Sequence, residues 1–512
     1  MWQEKGRFGP SGASVFYNFG TSLYDLPGGF HRFAPSGIIA DPGKVRVNKI
    51  VAKFGGSNLK TIEDIRKITR TVQRYDRPII TVVSAFYGIT NRLTTGILEC
   101  RDDESRIVAL QDFLREMKED LISRCIRDAD IRRRTTAELG GRLDDLRRVL
   151  LGVHYLGEIP PTVHDRVLSY GERLSSFLLA AIFRDAGIDA EERLPEDIGL
   201  YTNGELRNAS IDFSRSEPAV AEALKEDTVF VVPGFYGISP DGKTTLLGRG
   251  GSDYSAAAIA RCVRAESLDI WKDVDGFMSG DPGMVDTPHR LHTLSYREAA
   301  ELSYFGARIL HPRTVEPLRD QGTPIRIFNI HRYREGILPL SVIGPEPAPL
   351  LDTNGVDMPH KVKSVTSSHD FAILRLRGSG VGQTPGILGT AAAAIAEAGI
   401  NIKSVMTTQT SINIFLSEVD IVAACREVER KGLSAVSLIE TETDLSAVAL
   451  VGEGLSECEE IASRLVMALS NAGVHAKMLA LGASESATYF LVRRDMVGTA
   501  VKAAHAAFFA IE

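Results

Sequence analysis

The sequence lacks any uninterrupted apolar run approaching the ~18 residues of a membrane-spanning helix, so no membrane association is expected. It also lacks a cationic excess. Its 59 Lys and Arg are set against 66 Asp and Glu, for a formal charge of -7, and the two signs are interspersed. No basic footprint is left for nucleic acid. Cysteine is scarce and scattered: Cys100, Cys125, Cys262, Cys425 and Cys458 form no CxxC pair and have no histidine cluster beside them. That usage argues against a disulfide framework or a zinc site, and points to reduced thiols in a cytoplasmic protein. No metal-ligand set of protein side chains is expected. The start lacks a charged segment followed by an apolar one, which argues against a secretory signal.

What is present is the composition of an ordinary globular protein, 44% hydrophobic and 24% charged. At 512 residues the chain is too long for one core, and two or more domains are expected. The first 46 residues carry Gly, Pro, Phe and Tyr without periodicity, as in Leu26-Pro27-Gly28-Gly29-Phe30, and read as a disordered or loosely packed leader. Because the next methionine after Met1 is Met117, a start near Val45 or Val47 is the alternative to a translated leader.

From Val47 the pattern becomes strand, glycine turn, helix, strand. Val47 to Phe54 is short and β-branched, and Leu59, Ile62, Ile65, Ile68 and Val72 then recur at helical spacing. Ile79 to Val83 is continuously apolar, as in a strand buried on both faces of a parallel sheet. A charged helical stretch runs from Asp102 to Leu156, and later strands read at Val229 to Val232, Leu268 to Trp271 and Ile325 to Phe328. This alternation predicts a three-layer α/β/α domain over 47–343. The proline-rich Gly344-Pro345-Glu346-Pro347-Ala348-Pro349 opens a linker over 344–363. Beyond it an internal repeat appears: a helix ending Ala398-Gly399-Ile400 returns as one ending Ala472-Gly473-Val474, each followed by two strands. Two small α+β units are therefore expected, over 364–441 and 442–512.

Two glycine-rich turns carry the chemistry. Lys53-Phe54-Gly55-Gly56-Ser57 lies between a strand and a helix, where backbone N–H groups and the helix dipole can meet phosphate and Lys53 can bridge it. By itself this segment is equally consistent with a simple turn, and it is not a GxxxxGK[ST] loop. Gly248-Arg249-Gly250-Gly251-Ser252-Asp253 opens an alanine-rich helix, and its arginine suits carboxylate recognition. Together the turns suggest one cleft between an anionic donor and an anionic acceptor. A third segment, Trp271-Lys272-Asp273-Val274-Asp275-Gly276 through Asp281-Pro282, has polar residues suited to a nucleotide.

Here a resemblance becomes specific. KFGGS at 53–57, SAFYGITN at 84–91, LSYGERLSS at 168–176, VPGFYG at 232–237, GRGGSDYSA at 248–256, DVDGFMSGDP at 273–282 and LSYREAAELSYFGARILHPRT at 294–314 resemble, in order, the aspartate kinases of the amino-acid kinase superfamily. GVGQTPGI at 380–387 and EAGINIKSV at 397–405 resemble paired ACT domains of ferredoxin-like fold, which bind amino-acid regulators. No fused homoserine dehydrogenase is expected beyond the second repeat.

The resemblance implies ATP-dependent phosphorylation of the L-aspartate side-chain carboxylate to 4-phospho-L-aspartate, the first step towards lysine, threonine and methionine. Mg2+ would be held mainly through phosphate oxygens. Lys53 and Asp253 would be catalytic. Lys53, Phe54, Gly55, Gly56, Lys272, Asp273, Met278, Gly283 and Arg308 would surround the nucleotide. Ser84, Thr90, Glu172, Arg249 and Ser252 would surround aspartate, with Arg249 on the α-carboxylate and Glu172 on the ammonium. The chain departs from the family where Thr, Tyr, Arg and Lys are common, at Lys272, Met278, Gly283 and Arg308 respectively, all on the nucleotide side. Lysine, threonine or both would bind the first repeat through Gln383, Thr384, Gly386, Asn401, Ile402, Gln409 and Asn413, in a homo-oligomer joined by the repeats. The alternatives are a catalytically silent amino-acid sensor and another kinase of the superfamily.

Overall fold

A computed structural model describes residues 49–307, 309–345, 362–482 and 484–509. The expected leader over 1–46, Arg308 and residues 346–361 of the expected linker lie outside the described residues.

β1 (Ile50–Phe54) and β2 (Ile79–Val83) are buried at every position. β3 (Ala190–Glu192) and β4 (Val229–Pro233) follow, and then a separate antiparallel hairpin of β5 (Tyr236–Ile238) and β6 (Thr244–Leu246). β7 (Ser267–Lys272), β8 (Thr293–Ser295), β9 (Ile325–Asn329) and β10 (Ser341–Gly344) complete an eight-stranded sheet ordered β3-β4-β2-β1-β7-β9-β10-β8. Neighbours from β3 to β9 are parallel; β10 runs antiparallel to β9 and parallel to β8.

Strand alternation gives the sheet two apolar faces. Ile50, Ala52 and Phe54 pack against a layer built from the helices Ile62–Val72, Ile89–Asp102, Ser105–Cys125, Ala129–Leu156 and Pro161–Asp185. Val51, between them, faces the opposite layer with Leu268 and Ile270 and the helices Phe213–Ala223, Gly251–Cys262 and Tyr296–Tyr304. The three-layer α/β/α fold expected from the sequence is the one observed. The charged stretch from Asp102 to Leu156 divides in two, because the Asp128 carboxylate accepts from the Asp130 and Ile131 N–H groups and starts a new helix there.

The C-terminal half is one antiparallel six-stranded sheet. β11 (Ser364–Arg377), β12 (Ser404–Thr407), β13 (Ser411–Leu416), β14 (Leu438–Val451), β15 (Met478–Ala480) and β16 (Ala487–Arg493) order as β12-β13-β11-β14-β16-β15. β11 and β14 each run 14 residues through both halves of the sheet, kinked where the register shifts between Ser368 and Ile373 and where Asp444 adopts φ 60°. Leu374, Leu376, Ile412 and Ile414 pack on the helices Ile387–Glu397 and Ile421–Arg430. Val365, Val448, Leu450 and Phe490 pack on the helices Glu459–Asn471 and Val497–Phe509. The two repeats are thus interlaced. The second takes one strand, Ser364 to Ser368, from ahead of the first, and the expected boundary at 441/442 falls inside β14.

The other face of this sheet, with Phe371, Phe415, Leu445 and Tyr489, joins the apolar cluster of the kinase-like domain. The Phe305 and Tyr489 rings meet at 4.9 Å, tilted by 39°, and Lys363 reaches the buried Glu298 at 2.7 Å.

Candidate active site

The C-terminal ends of β1, β2 and β4 open onto a single cleft of about 580 Å³. In parallel α/β sheets this edge is where ligands bind. Lys53 projects from β1 and Ser84 follows β2; Thr90 sits in the first turn of Ile89–Asp102, and Ser252 and Asp253 open Gly251–Cys262. The long helix Pro161–Asp185 brings Glu172 in, and Arg249 lies on the glycine loop ahead of Ser252. All five expected substrate residues and both expected catalytic residues line this one cavity.

The glycines are there for space. A Cβ on Gly56 would lie 3.1 Å from the Ala85 carbonyl oxygen, and Gly250, at φ +72°, would place one 2.3 Å from the His311 ring. The Gly251 N–H bonds back to the Gly248 carbonyl at 3.0 Å, and no side chain caps the start of Gly251–Cys262.

Lys53 pairs with Asp253, both nearly buried, and Lys272 approaches the other oxygen of Asp253 at 3.6 Å. Burial alone would raise the Asp253 carboxyl, but the two lysines outweigh it and hold it down at about 2. Glu172 shows the reverse. Burial pushes its carboxyl up to about 8, with the Ala85 backbone and the charge of Lys53 opposing only in part. Its Oε2 is buried and has no hydrogen-bond partner among the described residues. Burial and the neighbouring Arg313 and Arg249 lower the His311 imidazole, while Asp253 pulls the other way.

The nucleotide-side expectations fare unevenly. Lys53 and Gly56 line the cleft, Gly55 lies beside the Lys53 ammonium, and Lys272 ends β7 next to Asp253 without itself lining the cleft. The Phe54 side chain turns away, because alternation along β1 sends it into the core, where it stacks on Trp271 at 6.1 Å. Asp273 is exposed and lies 3.7 Å from Lys60. Met278 and Gly283 belong to a segment fastened to the C-terminal sheet. The Met278 carbonyl accepts from Ser364 Oγ at 2.8 Å, Ser279 Oγ meets His505 Nε2 at 2.9 Å, and Val285 packs into the core of the second repeat. Arg308 lies outside the described residues.

Among the expected regulatory residues, the loop of Gln383 and Thr384 folds against the β12–β13 turn. Gly382 donates to the Gln409 carbonyl, and a Cβ on Gly382 would strike the Thr408 oxygen. Asn413 is engaged, accepting from Arg375 Nε at 2.8 Å. Gly386 caps the start of Ile387–Glu397, whereas Asn401 and Ile402 lie beyond its other end. An 11-residue helix spans about 16 Å, so one copy of the chain does not bring these two groups together.

Sequence reasoning assigned no role to several residues that shape the cleft. Leu168 and His164 line it one and two turns ahead of Glu172, a helical stripe that counting back from Glu172 would have found. The buried Asp165 accepts from the Arg207 and Leu246 N–H groups, at 2.8 and 2.9 Å, and so holds the floor of the arginine loop. Arg313 holds the same loop from the other side through the Leu247 and Ala209 carbonyls, at 2.8 and 2.7 Å. These partners are 42 to 104 residues apart, and no local pattern announces them.

Comparison with known proteins agrees with this geometry. The profile of the amino acid kinase family matches residues 48–329, and that of an ACT domain matches residues 448–508. The bifunctional aspartokinase/homoserine dehydrogenase 1, chloroplastic, of Arabidopsis thaliana is 29% identical over 90% of this chain and 51% of its own length. Aspartokinase 2, chloroplastic, of the same plant is 26% identical over 90% of this chain and 84% of its own. The chain thus spans about half the length of the bifunctional relatives it matches. The crystal structure of E. coli aspartokinase III in complex with aspartate and ADP superposes with a TM-score of 0.75 at 25% identity, covering 90% of this chain and 100% of that one. The chain belongs to the amino acid kinase family and carries a C-terminal ACT domain.

Proposed function

We propose that the chain transfers the γ-phosphoryl group of ATP to the side-chain carboxylate of L-aspartate. The observation that carries this reading is the buried, unpartnered Glu172 oxygen in the same cleft as the exposed Arg249 and the Lys53–Asp253 pair. An α-amino acid with a second carboxylate has the complementary charges: its ammonium suits Glu172, its α-carboxylate suits the Arg249 fork, and its side chain is left facing Lys53. The likeness to E. coli aspartokinase III, solved with aspartate and ADP, supports it.

The chemistry asks little of the protein beyond placement and charge. The acceptor carboxylate is already ionised, so no base is needed. Its oxygen forms a bond to the γ-phosphorus as the bond to the β,γ-bridging oxygen breaks, and ADP departs. Lys53 and the N–H groups of the glycine turns meet the charge that builds up on the phosphoryl oxygens. Mg2+ would be held mainly through the phosphate oxygens, where it would supply neutralising charge. The test is an ATP-dependent hydroxamate assay with aspartate, glutamate and acetylglutamate side by side. Activity with glutamate above that with aspartate would sink the assignment.

Arg249 is exposed in the cleft and makes no ion pair or hydrogen bond among the described residues. A carboxylate clamp acts in the ground state as well as in the transition state. Arg249→Ala is therefore expected to raise the aspartate KM by about 10–10²-fold with little change in kcat. Unchanged aspartate affinity in steady-state kinetics would refute the pose.

The C-terminal repeats are proposed to bind lysine, threonine or both between two copies of the chain. The separation of Gly386 from Asn401 within one copy supports a site completed by a second, and with it a homo-oligomer. E. coli aspartokinase III in complex with lysine and aspartate is similar over 90% of the chain, with a TM-score of 0.71. Calorimetric titration of both amino acids into the full chain, and into a chain ending at Gly344, is expected to show binding only in the former. Equal binding by both chains would remove the repeats from the role. Among the described residues no helix is long and apolar enough to cross a membrane. The five unpaired thiols suit a reducing compartment, proposed here as the cytoplasm.

A further inference from the structure

β1 and β7 are parallel neighbours with Lys53 opposite Ile270, so Lys272 stands two residues further along β7 on the same face. That face is independently marked: Val51 and Ile270 share one apolar cluster with the helix Gly251–Cys262, while Phe54 and Trp271 belong to the other. Asp253, in the first turn of that helix, thus receives one lysine from each strand. Two ammonium groups face one carboxylate. Lys272 is 17% exposed at its side chain, and at 3.6 Å it is too far from Asp253 for a full hydrogen bond. The neighbouring acid, Asp273, sits by Lys60, and Glu172 is held mainly protonated at neutral pH. Burial and the neighbouring Lys53 lower the Lys272 ammonium, Asp253 and Asp273 pull the other way, and two lysines share the one buried Asp253 carboxylate, a costly arrangement until an anion arrives.

Lys53 and Asp253 line the same cleft as Gly56, Glu172 and Arg249, and Lys272 reaches that cleft through Asp253. The anion at that position is the group in transit. We infer that Lys272 is a second phosphoryl-binding ammonium, which leaves the shared Asp253 to meet the γ-phosphoryl oxygens of a bound nucleoside triphosphate. In this role it contributes charge alone and transfers no proton, with Asp253 opposing the burial that lowers its ammonium. The inference rests on the reading of the cleft as a phosphoryl-transfer site, and it assigns to the β7 lysine a role distinct from holding ADP.

The full-length protein is titrated calorimetrically with Mg2+ and either ADP or β,γ-imido-ATP, without aspartate. Lys272→Met is expected to weaken the triphosphate analogue by about 10–10²-fold and ADP by less than about twofold, with Lys272→Arg recovering part of the loss. In turnover, kcat falls by about 10² with the aspartate KM unchanged. Retained ADP binding shows that the variant is folded. Equal loss of both nucleotides, no loss, or tighter triphosphate binding would overturn the role, the last by showing that Lys272 occludes the pocket. Because the titrations contain no aspartate, they stand apart from the acceptor. Unsubstituted protein that binds the nucleotides but forms no aspartyl hydroxamate refutes the acceptor and leaves Lys272 assigned.

Discussion

Lys53→Met is expected to lower kcat by about 10²–10³-fold while leaving the aspartate KM within a few-fold. The ammonium is 5% exposed and pairs with Asp253 at the point where β1 delivers it to the cleft. Charge on the transferring phosphoryl oxygens grows as the bond to the bridging oxygen breaks, so an ammonium placed there stabilises the transition state more than either bound substrate. Its removal also strands Asp253, whose Oδ1 is buried and would then be opposed only by Lys272 at 3.6 Å. Lys53→Met/Asp253→Asn should consequently lose much less than the sum of the two single effects, since both substitutions remove one interaction. Steady-state kinetics with varied aspartate at saturating ATP separates the parameters. A tenfold rise in the aspartate KM at constant kcat would move Lys53 to the acceptor side.

Binding of aspartate at pH 7 should release close to one proton. In the unliganded cleft the Glu172 carboxyl titrates at about 8 because burial disfavours its charge. At neutral pH it therefore carries a proton. An arriving ammonium favours the ionised form, and the proton leaves. Calorimetry in buffers of different ionisation enthalpy reads this directly: release near one at pH 7, falling towards zero above pH 9. Glu172→Gln should abolish the release and raise the aspartate KM by about 10²-fold.

The same shift has a sign for stability. Since the folded value lies above the ordinary 4.5, the folded state binds more protons between those limits. Unliganded protein loses stability as pH rises from about 4.5 to about 8, by up to about 1.4 kcal/mol per pH unit. Saturating aspartate should flatten that slope. Binding at pH 7 without any buffer dependence would mean that Glu172 does not receive the ammonium.

Some of this was legible in one dimension because the physics is local. Five consecutive apolar residues at Ile79–Val83 suffice for a strand with both faces covered. Lys53-Phe54-Gly55-Gly56 and Gly248-Arg249-Gly250-Gly251 needed only a strand end, a turn and a helix start to become loops at one cleft. What failed was whatever alternation or register decides. Phe54 stands next to Lys53 in the motif, yet the two-residue period of β1 turns it to the opposite layer. The repeats were visible as repeats, but their partition was not, because β11 and β14 each serve both units and nothing in a strand's sequence says where it changes partner.

By itself, then, the sequence determined the elements, the three-layer fold and the two glycine-rich loops at the cleft, since each depends on neighbours a few residues apart. Only the tertiary structure decided the charges. Glu172 near 8, Asp253 near 2 and the pairing of Lys53 and Lys272 on one carboxylate arise from burial and from strands and helices up to 219 residues apart closing on a single point. A carboxylate's ionisation is set by what surrounds it, and that surrounding does not exist until the chain has folded.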